Sequence, residues 1–146
     1  MDVIVGLRAH LAAEATLTAL VPASRIYSPI LEARATYPAI QLQIVSSTRE
    51  AHLRGPNGEA RDRIQIDVWA KTRDTAIAVG RLVRQLVNGY SGTWIGSGSP
   101  APTITVQGMF LDLGSEIFES EIAGGLVRQS ADYRITYVDS EEQVLL

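Results

Sequence analysis

The chain has 146 residues, of which 46% are hydrophobic and 20% are charged, and it contains no cysteine. This length fits one compact domain with a core of its own, and the lack of cysteine excludes disulfides, thiol nucleophiles and cysteine-bound metals. No apolar run approaches the roughly 20 residues of a membrane helix, and the N-terminus lacks a signal-peptide layout. We therefore expect a soluble, unsecreted domain that contacts no membrane.

Charge is divided unevenly along the chain. From Thr103 onward there are eight acidic and two basic residues, net −6, whereas the preceding part has eleven basic and eight acidic residues, net +3. Nothing forms the dense basic stripe that tight nucleic-acid binding needs. Lys71 is the only lysine beside twelve arginines. Because arginine is enriched in protein interfaces, this bias points mildly toward protein partners.

Apolar periodicity predicts the elements of the first half of the chain. A helix runs from its N-cap, Asp2, to Pro22, and an irregular connector follows with a short strand near 25–27. Alternation of apolar and polar residues predicts two strands at 39–47 and 63–70. We expect these strands to form a hairpin.

The segment between these strands is polar and long. It reads TREAHLRGPNGEARD, residues 48–62, and Gly55–Gly58 at its centre has the composition of a turn. Loops of more than about 12 residues are uncommon in compact domains and usually carry function or lack order. The sequence therefore predicts a hairpin with a long projecting tip.

The second half begins with an amphipathic helix, for which Thr72 is the predicted N-cap and Gly89 the C-terminal cap. The Gly-, Ser- and Pro-rich segment 89–103 is typical of a mobile loop or a second hairpin tip. Strands are then predicted at 103–113, 116–122 and 126–138.

This order predicts an α+β fold with two layers. Two amphipathic helices cover one face of a mainly antiparallel sheet of about four to five strands, from which the long hairpin projects. We expect one domain, residues 1–138, and a short acidic tail, residues 139–146. The uncovered face is either wet or bound to another subunit, and it carries Gln41, Gln43, Gln65, Asp67, Arg128 and Arg134.

A search for catalytic or ligand-binding chemistry finds no convincing constellation. His10 and His52 have no serine and aspartate that complete a triad pattern. Three late acids, Glu116, Glu119 and Glu121, are more typical of a solvated strand face than of an acid and base pair. The run at 96–100 lacks the helix and lysine of a phosphate-binding loop. We predict no catalytic, cofactor or metal site, and no enzyme.

Several segments together resemble the small tail-completion proteins of long-tailed bacteriophages. The resemblance is carried by MDVIVGLRAHLAAEATLTALV, by RIY followed by YPAIQLQIVSSTRE, by RDRIQIDVWAKTRDTAIAVGRLVRQLV, and by QGMFLDL followed by ADYRITYV. It spans roughly residues 2–138. Families of this kind are similar in fold to the tail-terminator and head-to-tail joining proteins of phages and of phage-derived gene transfer particles.

The resemblance implies a structural role in the virion, without cofactors. Such proteins form a homo-oligomeric ring, usually a hexamer, at the head-proximal end of the tail tube, where they stop tube growth and meet the head-completion or connector protein. DNA would pass through the lumen without specific binding. The alternatives are a head-side connector, the major tail tube protein itself or, from another class, a small hydrolase or nucleotide-binding domain.

Residue roles follow as hypotheses. Residues of the hairpin tip are expected to reach a neighbouring subunit or the tube protein: Arg49, His52, Arg54, Asn57 and Arg61. Trp94 is expected either to anchor a neighbour or to fold back on its own domain. The acids Glu116, Glu119 and Glu121 are candidates to line the lumen, where negative charge would repel the phosphates of passing DNA.

Overall fold

A computed structural model of the chain describes residues 1–31, 35–52, 55–119 and 125–143. This part of the chain is a mixed α+β domain with three α-helices and six strands. The helices are α1 (Val3–Ala12), α2 (Ala15–Thr18) and α3 (Arg73–Val87). The strands are β1 (Ile26–Tyr27), β2 (Ala39–His52), β3 (Gly55–Ala70), β4 (Tyr90–Ile95), β5 (Thr103–Glu119) and β6 (Leu126–Gln143).

The strands form one sheet in the order β1-β2-β3-β6-β5-β4. Its neighbours are antiparallel except for β1, which runs parallel to β2. The prediction of an α+β fold and a mainly antiparallel sheet is confirmed, but the expected count of four to five strands is wrong. The segment 89–103 supplies the additional strand β4, because its Gly and Ser residues are interrupted by Tyr90, Thr93 and Trp94, which suit a strand.

The sheet is strongly curved, and the hydrophobic core lies between it and the helices. Helix α1 contacts both β2 and β4, which lie four strand spacings apart in the sheet order. A flat sheet would separate those strands by about 19 Å, whereas a helix with its side chains is about 10 Å wide. Contact with both strands therefore requires strong curvature. Helix α3 packs on β3, β5 and β6, and both helices share one apolar cluster with the sheet.

The first predicted helix is broken into two. Asp2 is its N-cap as predicted, since the carboxylate accepts a hydrogen bond of 2.8 Å from the Ile4 amide. The helix stops at Ala12 and resumes at Ala15. In one continuous helix Leu17 would lie about 120° around the axis from Leu11, because each residue turns about 100°. The break lets both leucines be fully buried.

The long polar segment 48–62 is mostly strand rather than loop. Strands β2 and β3 continue through it in antiparallel pairing until His52 faces Gly55. Gly58 has a positive φ of 82° where the register of β3 against β6 shifts between Asn57 and Glu59. Glycine adopts this conformation without strain, and it commonly supports a β-bulge. The Gly-rich centre of the segment therefore forms a bulge instead of the predicted turn.

The C-terminal strand passes the predicted end of the domain. β6 continues to Gln143, which is the partner of Asn57 in β3. Asp139 is buried, and its carboxylate accepts a hydrogen bond of 3.0 Å from the Glu141 amide. The first residues of the predicted acidic tail are therefore part of the sheet, while residues 144–146 lie outside the described residues. No helix in the described ranges is long and apolar enough to cross a membrane.

Candidate assembly surfaces

The first candidate surface is the base of the β2–β3 hairpin. Residues that face each other across antiparallel strands share one face of the sheet. Ser47 faces Asp62, and Ala60 lies between Arg49 on β2 and Tyr137 on β6. The period of two along each strand places these polar groups on the core face, next to the N-terminus of α1.

Asp62 is the centre of this polar network. Its side chain is fully buried, and it accepts hydrogen bonds from Ser47 Oγ at 2.5 Å, Tyr137 Oη at 2.8 Å and Arg49 Nη1 at 3.2 Å. Arg49 also donates to Tyr137 Oη at 3.0 Å and pairs with Glu142 at 2.7 Å. We call these five residues the hairpin-base network. It links β2, β3 and β6 where the hairpin leaves the core.

The network perturbs the ionisation of its members. Burial is the largest effect on Tyr137, and together with the hydrogen bond to Asp62 and that carboxylate's charge it raises the pKa of the phenol well above its usual range. Burial opposes the charge of Arg49, but Tyr137, Asp62 and Glu142 outweigh it and raise the guanidinium pKa. The phenol therefore stays neutral and the arginine stays charged, which preserves the donor and acceptor pattern.

The second candidate surface is the face of the sheet that points away from the helices. The register of β5 against β6 shifts between Leu111 and Leu113, so that Asp112 is the extra residue of a bulge. The bulge turns Phe110 and Leu113 to the same face, opposite Arg134 and Asp132. Phe110 is 58% and Leu113 60% exposed. We call this surface the open face.

Arginines concentrate at the centre of the open face. Arg63 pairs with Asp112 at 2.8 Å and with Asp132 at 3.8 Å, while Arg134 pairs with the other oxygen of Asp112 at 3.2 Å. Arg61 lies two residues before Arg63 on the same strand and face. The three arginines line a shallow cavity of about 440 Å³. We call them the arginine patch.

Comparison with known proteins identifies the family. The model of the family described as "Tail completion protein gp17" matches residues 5–107. The chain belongs to this family. The resemblance seen in the sequence is thus confirmed, and membership makes the chain a structural protein of phage tails.

The solved structures agree with this fold. Sixteen chains match, among them one from the "Virion of native gene transfer agent (GTA) particle", with a TM-score of 0.68 and 16% sequence identity over 93% of each chain. At this identity the match shows a shared fold. No curated protein sequence matches the chain.

Two of the predicted interface arginines of this tail-completion protein lie on opposite faces of the sheet. Arg49 belongs to the hairpin-base network on the core face, and its side chain is 44% exposed. Arg61 is exposed on the open face, facing Thr48 and Thr136. Arg54 and Glu121 lie outside the described residues, and so do the side chains of His52, Asn57, Glu116 and Glu119.

The hypothesis that Trp94 anchors a neighbour is corrected by the structure. Trp94 is 7% exposed and packs in the core against Gly6 of α1. Its ring also stacks on Tyr90, with centroids 5.8 Å apart. Because β4 is paired with β5 and the curled sheet brings it against α1, the indole is enclosed by its own domain.

His10 also has an internal role. Its ring lies 4.2 Å from that of Tyr90, and Nε2 is 3.0 Å from the Leu86 carbonyl oxygen. The histidine therefore joins α1 to the end of α3 and to β4. In the described part of the chain no group of three or more His, Asp or Glu side chains is arranged to hold a metal ion.

The sequence reading missed most members of both surfaces. Asp62 alternates with Ile64 and therefore faces the core, although its segment, residues 48–62, is predicted from the sequence to be a projecting polar tip. Phe110 and Leu113 are three residues apart, which in a regular strand places them on opposite faces. Only the bulge at Asp112 brings them together, and nothing in the local sequence marks it.

Proposed function

We propose that this protein is a structural virion component that forms a homo-oligomeric ring, a hexamer, at the head-proximal end of the tail tube. There it terminates tube growth and joins the tail to the head, in contact with the major tail tube protein and the head-completion or connector protein. The observation that carries the proposal is the family match over residues 5–107. The protein acts by binding, without a cofactor and without catalysis.

The two surfaces support this role in different ways. The hairpin-base network fixes the exit of the hairpin through a buried carboxylate that accepts three hydrogen bonds. The open face carries half-exposed apolar side chains among arginines. Aromatic residues and arginine are the types enriched where proteins bind one another.

The charge of the chain suits a ring through which DNA passes. The net charge is −3, and a predominantly negative surface repels phosphates instead of retaining them. The arginines near the surface of the sheet are paired with acids rather than gathered into a basic stripe. DNA would therefore move through the lumen without specific binding.

Capping of tail tubes tests the proposal. Purified tubes that lack the completion protein are mixed with the protein, and electron microscopy counts tubes with a ring at one end and tubes that then join filled heads. We expect one ring per tube and head joining that depends on the added protein. Failure to bind tubes would refute the proposal, and many copies stacked along the tube would identify a tube subunit instead.

A matched pair of variants tests the hairpin. We propose that its end contacts the tube or a neighbouring subunit through His52, Arg54, Asn57 and Arg61. The double change His52→Ala and Arg54→Ala is expected to reduce capping at least about tenfold, since two contacts of roughly 1 kcal/mol each exceed a factor of ten. Arg81→Ala, on the exposed side of α3, is the control and should cap normally. Equal capping by both variants would exclude the hairpin end from the contact.

A further inference from the structure

A cavity of about 210 Å³ lies between α3 and the strands β3, β5 and β6. Its apolar walls are the side chains of Ile66, Val68 and Val83. Small residues keep the space open on the side of β5, where Gly114 faces Ala131 across the strand pair. Gly114 is exposed, and a methyl group added there would meet no atom within 4 Å. A side chain from outside can therefore enter beside Gly114. We call this space the α3 cavity.

Three side chains that donate hydrogen bonds also line the α3 cavity: Arg84, Gln129 and Tyr133. The Oε1 atom of Gln129 lies over Gly80, 2.7 Å from the place of a Cβ atom, so only a glycine in α3 admits it. Within the described part of the chain, the Gln129 amide makes no hydrogen bond, and no carboxylate pairs with Arg84. Polar groups in a protein interior are normally bonded, so these donors call for a partner.

Tyr133 contributes a neutral hydroxyl. Burial raises the pKa of its phenol, and the nearby charge and hydrogen bond of Arg84 lower it by less, so that the net shift is upward. Because a guanidinium only donates, the Tyr133 oxygen accepts from Arg84 and keeps its own proton to donate elsewhere. The cavity thus offers one positive charge and donors from three side chains. A carboxylate has the complementary chemistry, since it is negative and only accepts.

The size of the cavity favours a single side chain as its occupant. Sites for free small molecules usually have about 300–1,000 Å³, which exceeds the 210 Å³ available here. Glutamate and aspartate join a carboxylate to an apolar stem that suits the aliphatic walls. Among the described residues, the acids of this chain are already bonded within their own molecule, except Asp74 on α3 itself. The acid is therefore best supplied by another protein.

We propose that the α3 cavity binds the side chain of a glutamate or aspartate from a different protein of the virion, with Arg84, Gln129 and Tyr133 as its donors. The inference goes beyond the proposed ring and does not depend on it. It assigns a second docking site, on the core face of the sheet and away from both the hairpin-base network and the open face.

A single introduced amine tests the site and identifies the partner. Lys71 is the only lysine of the chain, so in a Lys71→Arg background the change Arg84→Lys places the one lysine at the cavity. Particles assembled with this variant are treated with a carbodiimide, which joins a carboxylate to an amine in contact with it, and mass spectrometry identifies the linked peptides. We expect a link to an acidic residue of another virion protein. Its yield should exceed that from Arg81→Lys at least about tenfold, because a bound carboxylate is held beside the amine.

Arg81 is the matched control because it is exposed on α3 but does not line the cavity. A yield no higher than that of the control overturns the proposal. So does a link to a second copy, or to an acid of the same chain such as Glu116, whose backbone lies opposite Gln129. Either link would assign the cavity to the chain itself instead of a different protein.

A titration of the isolated protein tests the site without any partner or assembly. Sodium butyrate has the carboxylate and apolar stem of an acidic side chain, and NMR follows the amides of Gly80 and Gly114 as it is added. We expect saturable shifts with a Kd of about 1–10 mM, which Arg84→Gln abolishes and Arg81→Gln retains. Butylammonium has a similar stem with the opposite charge and should cause no such shifts.

Shifts that rise linearly with butyrate, or that persist in Arg84→Gln, overturn the carboxylate site. Equal shifts with butylammonium overturn it as well, because they would show an apolar cavity without preference for negative charge. These outcomes are separate from those of the proposed function. A wild-type protein that never caps tubes refutes the ring, whereas the titration decides the cavity alone.

Discussion

Replacing Asp62 by alanine is expected to destabilise the fold more than any single exposed substitution. The change removes the acceptor of three hydrogen bonds, from Ser47, Arg49 and Tyr137. Tyr137 is 1% exposed, so its hydroxyl loses its acceptor without gaining water. An unpaired buried donor costs about 1–3 kcal/mol, whereas the other two donors, Ser47 and Arg49, are exposed enough to be solvated by water. This is a large share of a typical stability of about 5–15 kcal/mol.

Urea denaturation followed by circular dichroism measures this loss as a shift of the unfolding midpoint at constant slope. Asp74→Ala is the control, since this acid is exposed in the first turn of α3 and its removal should cost only about 0.3–1 kcal/mol. A double-mutant cycle with Tyr137→Phe should give a coupling energy of about 1.5–3 kcal/mol, as for a hydrogen bond to a charged group. A loss below about 1 kcal/mol for Asp62→Ala, or additive effects in the cycle, would refute the buried network.

Three further substitutions test separate features. A methyl group at Gly6 would overlap the Trp94 ring, since it would lie 2.9 Å from Cδ2 and nearer still to Cε3. Gly6→Ala should therefore lower the free energy of unfolding by about 1–3 kcal/mol, as measured by denaturation. Gly114→Ala is the control and should change it little, because a methyl group there meets no atom within 4 Å. Thr72→Ala should cost about 1 kcal/mol, because Thr72 Oγ1 caps α3 by accepting from the Thr75 amide at 3.2 Å. The pKa of Tyr137 is raised in the folded protein. The contribution of this residue to the free energy of unfolding is therefore complete below the unfolded-state pKa of about 10, and it falls by about 1.4 kcal/mol for each pH unit above that value. Tyr137→Phe should reduce that slope in denaturation at pH 9–11.5, and an unchanged slope would contradict the shift.

Local signals predicted the ends of elements better than their continuity. Asp2 and Thr72 cap α1 and α3 as expected, because capping depends on a side chain and amides only two or three residues away. The break after Ala12 depends instead on the burial of Leu17 in the apolar cluster that the helices share with the sheet. That position is set by tertiary packing, to which a helical wheel has no access.

The sheet shows the same limit more sharply. A bulge of one residue exchanges the two faces for the rest of a strand, because the side-chain period is two. The shift around Val45 in β2 decides that Ser47 and Arg49 face the core network, and the shift around Asp112 decides that Leu113 joins the open face. Alternation identified these strands but assigned their outer parts to the wrong surroundings. The candidate surfaces were therefore the part of the molecule least accessible from sequence.

The division of the sheet into two faces explains why a chain without a catalytic cluster keeps so much polar structure. The core face holds the helices and ends in the hairpin-base network, which fixes the direction of the hairpin. The open face leaves Phe110 and Leu113 exposed beside Arg134, an arrangement that gives a lone domain no stability. Covering them with a protein partner in the assembled virion would remove this apolar surface from water. Assembly would then complete the surface that folding leaves open.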